Sequence, residues 1–293
     1  MPQKGDKAMP VRLSHLSDRG LLGLSGPDAK TFLQTMVTCS LNALGPETPL
    51  YGAHLTGQGR FLYDFIIIET PSHILLDVHK GALMPLAKAL HSYQVQNKVE
   101  YDDLSEDYSI YASFCDGIAE EHPKNTIIFT DPRLKSLGKR LYIPTNENKP
   151  TPTEPLEAYN THRIALGVPD GSVDATHGKT IANELCLADL GGIDYKKGCY
   201  VGQELTARTH FRTQPKKRLM QVTFTGTAPP VGTPIKRGNL EVGTLYSTNA
   251  QGQGIAIIRL SEAAKGDPLM AESIELTAQK PDWATYPYPP EGE

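Results

Sequence analysis

The chain has 293 residues, and its 29 Lys and Arg against 33 Asp and Glu leave a formal net charge of −4. This balance excludes a general nucleic-acid coat protein, which needs a strong positive charge, and no apolar stretch approaches the roughly 20 residues of a membrane-spanning helix. The 4 cysteines, Cys39, Cys115, Cys186 and Cys199, are widely spaced and form no C-x-x-C pair, which excludes a disulfide framework and a zinc or cluster site built by this chain alone.

The N-terminal residues, Met1 to Pro10, are polar. They contain neither the apolar core of a signal peptide nor an Arg-rich transit pattern. Together with the unpaired cysteines, this pattern predicts a reducing, cytoplasmic location.

The first elements of the chain are a strand and an amphipathic helix. Leu21 to Leu24 is predicted to be a strand, and Ser25-Gly26-Pro27-Asp28 is expected to start a helix with serine as its cap and proline in its first turn. One apolar face of that helix is formed by Ala29, Phe32, Leu33, Met36 and Val37. Cys39 follows this face and is expected to lie in the core.

A hairpin and a second helix come next. Phe61 to Glu69 and Ile74 to Val78 are rich in β-formers and are joined by the turn Thr70-Pro71-Ser72. Leu83 to Tyr93 predicts a helix, in which Pro85 is tolerable only in the first turn. The pattern predicts further strands around Val99, Tyr108–Phe114, Thr126–Phe129 and Arg140–Ile143. Strands that surround a helix in this order indicate an α+β lobe.

The C-terminal half predicts a linker, a helix and a small β-barrel. Thr145 to Pro155 is proline-rich, and Leu156 to Leu166 is a predicted helix closed by Gly167. Short strands separated by turn residues predict the barrel, at Leu219–Thr225, Pro234–Lys236, Val242–Ser247 and Gly254–Arg259. The last residues, 281–293, show no periodic pattern and predict a flexible tail, unless Trp283, Tyr286 and Tyr288 hold it against the surface.

The segment Lys197-Gly198-Cys199-Tyr200-Val201-Gly202-Gln203-Glu204 carries the strongest chemical signal. Ile193 to Tyr195 resembles the end of a strand, and a helix is expected to follow Cys199. Free amide groups at the helix start, together with Lys196 and Lys197, favour an accessible thiolate at Cys199. Such a thiolate can act as a nucleophile, a redox thiol or a soft metal ligand. The alternative is a small buried cysteine on a tight turn.

The glycines and the glutamate of this segment leave simpler interpretations open. Gly198 and Gly202 indicate close approach of the backbone to a ligand or to another strand. Glu204 is expected to pair with Arg208, four residues further along the helix. The basic residues Arg208, His210, Arg212, Lys216, Lys217 and Arg218 form either a solvated connection or a positive wall beside Cys199 that suits an anion.

The whole stretch from Gly191 to Thr209, with the following Lys216-Lys217-Arg218-Leu219, resembles the signature of the YgfZ family. These are folate-binding factors of iron–sulfur cluster biogenesis, and the chain is most similar to the branch that contains the mitochondrial assembly factors. The resemblance implies an α+β fold like that of the glycine-cleavage T-protein, with two α/β lobes and a C-terminal β-barrel around a central folate pocket. It divides the chain into a folate-binding region at 10–212, with 55–145 as an inserted lobe, a barrel at 213–280 and a flexible tail at 281–293.

The resemblance also implies a folate site, from which this sequence departs at two positions. Asp64, Arg163, Lys197 and Gly198 are the residues expected to bind tetrahydrofolate. The family's T-protein relatives carry adjacent aspartates where this chain has Tyr63 and Asp64, and a glutamate where it has Ala165. Carboxylates normally read the donor-rich pterin ring, so their loss argues against strong folate recognition.

The function implied is that of an accessory factor in the assembly or repair of [4Fe–4S] clusters. Cys199 would be the reactive residue and one ligand of a shared cluster, because such clusters normally need four ligands and this chain offers one suitable thiol. The implied partners are an A-type cluster carrier and client [4Fe–4S] enzymes, with no membrane and no direct nucleic-acid binding. Two alternatives stay open: a folate-dependent aminomethyl or one-carbon transferase, and an RNA-associated factor in tRNA modification.

Overall fold

The computed structural model of the protein describes residues 12–114, 122–213, 215–266 and 268–289. Met1 to Pro10 and Cys115 lie outside the described residues. The strands are β1 (Arg12–His15), β2 (Arg19–Ser25), β3 (Leu50–Leu55), β4 (Phe61–Glu69), β5 (Ile74–His79), β6 (Glu100–Asp103), β7 (Tyr108–Phe114), β8 (Ile127–Thr130), β9 (Lys139–Pro144), β10 (Lys217–Thr223), β11 (Pro234–Arg237), β12 (Leu240–Thr248), β13 (Gln253–Arg259), β14 (Leu269–Ala271) and β15 (Ile274–Gln279). The helices are α1 (Ala29–Met36), α2 (Lys80–His91), α3 (Leu156–Ala165), α4 (Gln203–Phe211) and α5 (Leu260–Ala263).

Two antiparallel sheets form the first part of the fold. One has the order β3-β4-β5-β2-β6 and the other the order β1-β7-β9-β8. The β4–β5 hairpin is confirmed, with Ile66 opposite Asp77. Because side chains alternate along a strand, β2 turns Leu22 and Leu24 to the core beneath α1 and α2, and Leu21 to the core shared with the second sheet.

Both sheets combine strands from inside and outside residues 55–145. In the first sheet β4 pairs with β3, and in the second sheet β7 pairs with β1. In the first sheet β2 also pairs with β5 and with β6, so residues 55–145 are hydrogen-bonded to the strands before them in both sheets.

Two helix starts differ from the sequence prediction. The first helix begins at Ala29 with Asp28 as its N-cap, because Gly26 adopts a left-handed φ of 101° and cannot belong to the helix. The second begins at Lys80, where the His79 side chain accepts a hydrogen bond from Gly81 N. Pro85 is therefore the sixth residue of α2 rather than a first-turn residue, and it removes one internal hydrogen bond.

The C-terminal strands close a barrel in the order β10-β13-β12-β11-β14-β15, as the sequence predicted. The segment after β15 packs against the body of the protein. Trp283 Nε1 donates to Leu166 O at 2.8 Å, and Tyr286 Oη donates to Leu219 O at 2.8 Å. Residues 281–289 therefore follow the second of the two predictions for this segment, in which aromatic side chains hold it against the surface. Among the described residues, no helix has the length and apolarity needed to cross a membrane.

Candidate functional site

The loop that carries Cys199 is irregular, and it is held against the end of α1. Residues 193–195 form no strand, although their alternation predicted one. Their hydrogen bonds go to a segment distant in sequence: Asp194 N donates to Thr38 O at 3.0 Å, and Thr38 Oγ1 donates to Gly192 O at 2.5 Å. The helix predicted after Cys199 is confirmed as α4, with Gly202 as its N-cap.

Lys197 anchors this loop from inside the protein. Its Nζ donates to three backbone carbonyls, those of Gln34 (2.7 Å), Val37 (2.7 Å) and Cys39 (2.6 Å). Gln34 O lacks its usual helical partner, because Thr38 N bonds to Ala53 O instead, and a lysine at a helix C-terminus is a suitable replacement. Burial lowers the pKa of Lys197 to about 8, while the carbonyl acceptors favour its charged form.

The direction of Lys197 changes the expected electrostatics of the thiol. The sequence suggested that Lys196 and Lys197 both lie beside Cys199. In the structure, the Lys197 ammonium instead donates hydrogen bonds to backbone carbonyls at the end of α1. Lys196 is exposed on the same loop. The predicted pair between Glu204 and Arg208 is also absent from the ion pairs of the described residues.

Tyr200 and Val201 complete the anchor on the other side of Cys199. Tyr200 is buried in a core cluster, and the Lys197 ammonium lies 5.2 Å from its ring centroid. Val201 N donates to Thr35 O at 3.0 Å. The exposed residues Gly198 and Cys199 are therefore fixed at both ends by buried neighbours.

The two glycines of the motif have different roles. Gly202 has a left-handed φ of 84°, and a Cβ there would lie 2.6 Å from Thr56 O and 3.0 Å from Gly59 Cα. Gly202 therefore permits close packing of the α4 start against another loop. A Cβ at Gly198 would meet nothing within 4 Å, so the described part of the protein does not require glycine there.

Cys199 differs from the other described cysteines. It is exposed, whereas Cys39 and Cys186 are buried. Burial raises the pKa of Cys39 and of Cys186 to about 12, so both stay protonated thiols at neutral pH. Cys199 is thus the described thiol that can reach an external electrophile or metal.

Asp64 lies in the interior between β4 and the loop at residue 171. Its carboxylate accepts hydrogen bonds from Tyr51 Oη at 2.8 Å and from Gly171 N at 3.3 Å. Burial and the nearby Asp170 raise the pKa of Asp64. These contacts make Asp64 part of a packed polar core rather than of a solvated strand face.

Arg163 is also bound by protein groups. It donates to Asp174 Oδ2 at 2.7 Å, to Ser247 Oγ at 2.9 Å and to Val168 O at 3.2 Å. Its guanidinium therefore connects α3 to β12 of the barrel.

Arg163 belongs to a larger buried charge network that joins both sheets. Asp77 on β5 accepts from Arg19 at 2.6 Å and from Arg140 on β9 at 3.3 Å. Arg133 pairs with Asp131 at 2.8 Å and, against the effect of burial, holds the pKa of Asp131 at about 2. These arginines and aspartates satisfy one another's hydrogen bonds.

The cavity inside this network is too small for folate. It has a volume of about 10 Å³ and is lined by Arg19, Arg133, Arg140, Arg163 and Asp170, among others. That is room for about one water molecule, whereas drug-sized ligands occupy pockets of roughly 300–1,000 Å³. Of the residues expected to bind folate, Asp64 and Arg163 have protein partners here and Lys197 is held elsewhere. These residues do not fit tetrahydrofolate.

Sequence reasoning missed most of this network. Arg19, Arg133 and Arg140 come from separate elements, and no spacing in the sequence relates them. One signal was available: Asp77 interrupts the apolar run of β5, and an acid inside a buried strand needs a buried cationic partner.

The two packed sheets and the closed barrel give this chain the fold of a glycine-cleavage aminomethyltransferase. The crystal structure of the glycine cleavage system aminomethyltransferase T from Bartonella henselae superimposes with a TM-score of 0.70, covering 93% of this chain and 86% of that chain at 13% identity. The family model "CAF17, C-terminal beta-barrel domain" matches residues 216–286.

Curated relatives identify the family within this fold. The mitochondrial iron-sulfur cluster assembly factor IBA57 is 31% identical in Mus musculus and 33% identical in Homo sapiens, each covering 92% of this chain and 84% of the relative. The IBA57 homolog of Mycosarcoma maydis is 32% identical over 75% of this chain and 59% of the relative. The chain belongs to the IBA57 family of iron–sulfur cluster assembly factors.

The same relatives correct the predicted location. All three are named as mitochondrial proteins, so the prediction of a cytoplasmic location is wrong. Unpaired cysteines indicate a reducing compartment, and this property does not separate the cytoplasm from the interior of an organelle.

Proposed function

We propose that the protein is an accessory factor in iron–sulfur cluster assembly in which Cys199 supplies one thiolate to a cluster shared with a carrier protein. The observation that carries this proposal is the exposed Cys199 on a loop fixed by Lys197 and Tyr200. A fixed loop holds the backbone of Cys199 in place, so little backbone entropy is lost when the sulfur binds iron.

A partner is a chemical requirement of this function. Clusters are normally held by four ligands, and within the described ranges no group of three or more His, Cys, Asp or Glu could hold a metal. The remaining ligands must come from the protein that brings the cluster. We propose an A-type carrier as that protein and [4Fe–4S] enzymes as the final clients, in line with the resemblance to the YgfZ family.

Binding of the cluster to Cys199 is a ligand substitution at iron. The Cys199 thiol loses its proton to solvent, and its sulfur forms a bond to iron as one carrier ligand or water leaves. No electron is transferred in this step.

Folate chemistry is not part of this proposal. Aminomethyl transfer needs a folate pocket with a free carboxylate, and Asp64 is bonded to Tyr51 and Gly171 beside a cavity of about 10 Å³. Tyr63 and Ala165 replace the two acids that the transferase pattern carries at those positions.

The function is tested by anaerobic mixing with a cluster-loaded A-type carrier, followed by visible absorbance and native mass spectrometry. The wild type should form a coloured complex that contains both proteins and the cluster. Cys199→Ser should not, whereas Cys186→Ala, which removes a buried thiol, should behave like the wild type. A coloured complex of the same composition with Cys199→Ser would overturn the ligand role.

A further inference from the structure

Helix α4 presents an open face next to the Cys199 loop. A concavity of about 640 Å³ is lined entirely by residues of α4 and its C-cap, here called the α4 face: Gln203, Glu204, Ala207, Arg208, Phe211 and Arg212. These positions recur at intervals that place them on one side of a helix. Among the residues that the structure describes, no other element lines this concavity.

Phe211 is the main apolar group of the α4 face, and it is 68% exposed. The chain has 7 phenylalanines, and the other six are at most 8% exposed. Phe211 is also supported from one side, since its ring lies 4.6 Å from that of His210 and 5.8 Å from that of Tyr195. Tyr195 and His210 stack on each other with centroids 3.7 Å apart. A supported but exposed aromatic ring is the usual form of an interface anchor.

The charges nearest Phe211 on the α4 face are positive, and the one acid of this face, Glu204, lies at the other end of the helix. No Asp or Glu occurs from Leu205 through Leu240, although the whole chain is acidic with a net charge of −4. Arg208 and Arg212 are exposed on the α4 face, and among the described residues neither guanidinium has a hydrogen-bond or ion-pair partner. A partner that covers Phe211 would therefore gain from acidic groups opposite these arginines.

The α4 face and Cys199 are close enough to lie under one partner. From Cys199 to Phe211 the chain runs through four residues of loop and the nine-residue helix, so the two Cα atoms are at most about 26 Å apart. A standard interface buries about 800 Å² on each partner, which is a disc roughly 32 Å across.

We infer that the α4 face is the docking surface for the cluster-carrying partner, which presents an apolar centre and an acidic rim. The inference rests on the proposed function, because that function supplies the protein that must lie beside Cys199. Docking through α4 would hold the partner's cluster at the exposed sulfur for ligand exchange.

The test is the affinity of the carrier, measured by biolayer interferometry in its apo and cluster-loaded forms. Phe211→Ser should raise Kd by about 30-fold or more in both forms, as truncation of an aromatic anchor does. Arg212→Glu should weaken binding by about 5-fold and reduce its salt dependence. Matched controls lie on α2, where Met84 is 67% exposed and Lys88 is exposed. Met84→Ser and Lys88→Glu should leave Kd unchanged.

The outcomes separate the docking surface from the cluster function. Cys199→Ser should bind the apo carrier as tightly as the wild type but give no coloured complex. If Phe211→Ser binds the carrier as tightly as the wild type, the α4 face is not the docking surface, whether or not a coloured cluster complex forms. If Phe211→Ser abolishes self-association or binding of tRNA instead, a second copy or RNA covers this face and the inference is overturned. If docking depends on Phe211 but no wild-type complex is coloured, the inference stands and the ligand role of Cys199 fails.

Discussion

Replacing Gly202 with alanine tests how the Cys199 loop is built. The left-handed φ of 84° at Gly202 costs an alanine about 1 kcal/mol. The new Cβ would also lie 2.6 Å from Thr56 O and 2.9 Å from Leu55 Cβ, and both are closer than real Cβ contacts allow. These close contacts can be relieved only if the start of α4 or the facing loop moves, which costs about 1–3 kcal/mol by analogy with overpacked cores. Gly202→Ala should therefore destabilise the protein by about 3 kcal/mol.

The assay is urea unfolding followed by tryptophan fluorescence, with Gly198→Ala as the matched control. Gly202→Ala should lower the urea midpoint by about 1 M. Gly198→Ala should stay within about 0.5 kcal/mol of the wild type, because its Cβ meets nothing within 4 Å. Equal midpoints for the two variants, or a larger loss for Gly198→Ala, would refute the packing of Gly202 against Gly59.

Three further predictions follow from the buried groups. Lys197→Met leaves three carbonyls without a donor and should lower the free energy of unfolding by about 3 kcal/mol. Lys196→Met should change that free energy little. Equal effects of the two variants in a urea titration would contradict the role of Lys197 in holding the Cys199 loop. Calorimetric titration with tetrahydrofolate should give no saturable heat, and a saturable heat that Arg163→Lys removes would contradict the closed cavity. Burial raises the pKa of Cys39 and Cys186 to about 12, so the stability that each buried thiol contributes is present below about pH 9 and is lost as pH rises. Cys186→Ala should reduce this loss when the free energy of unfolding is measured from pH 8 to 11. The same dependence of that free energy on pH in the variant and the wild type would contradict the prediction.

The sequence predicted the local elements well where one periodic pattern determined them. The run Phe61–Glu69 matches β4 residue for residue, because nine residues of β-formers bounded by turns fit no other structure. Gly167 ends the predicted helix with a φ of 69°, as a glycine at this position should. Four of the six barrel strands, β10 to β13, were predicted to within a few residues for the same reason, whereas β14 and β15 were not predicted.

The site depended on contacts that local patterns do not encode. Ile193 to Tyr195 alternates like a strand, but Asp194 N and Gly192 O bond to Thr38 instead of to a neighbouring strand. The direction of Lys197 is set by carbonyls about 160 residues earlier in the chain. Charge near Cys199 was therefore overestimated from sequence proximity.

The interior of the fold was the least predictable part. From the sequence, Asp64 could lie either in a pocket or on a solvated strand face. In the structure it is buried and accepts hydrogen bonds from Tyr51 and Gly171. Arg163 was recognised as a candidate ligand, but Asp174 and Ser247 occupy its donors. The closure of the central cavity arises from arginines on several elements, which meet only in the folded chain.

The bond between the Cys199 sulfur and iron can be measured directly. The sulfur of Cys199 is replaced with selenium, the complex with the cluster-loaded carrier is purified anaerobically, and X-ray absorption is recorded at the selenium edge. The account predicts iron in the first coordination shell of selenium in the complex and carbon alone in the free protein. A selenium atom that keeps only its carbon neighbour in a coloured complex would contradict it.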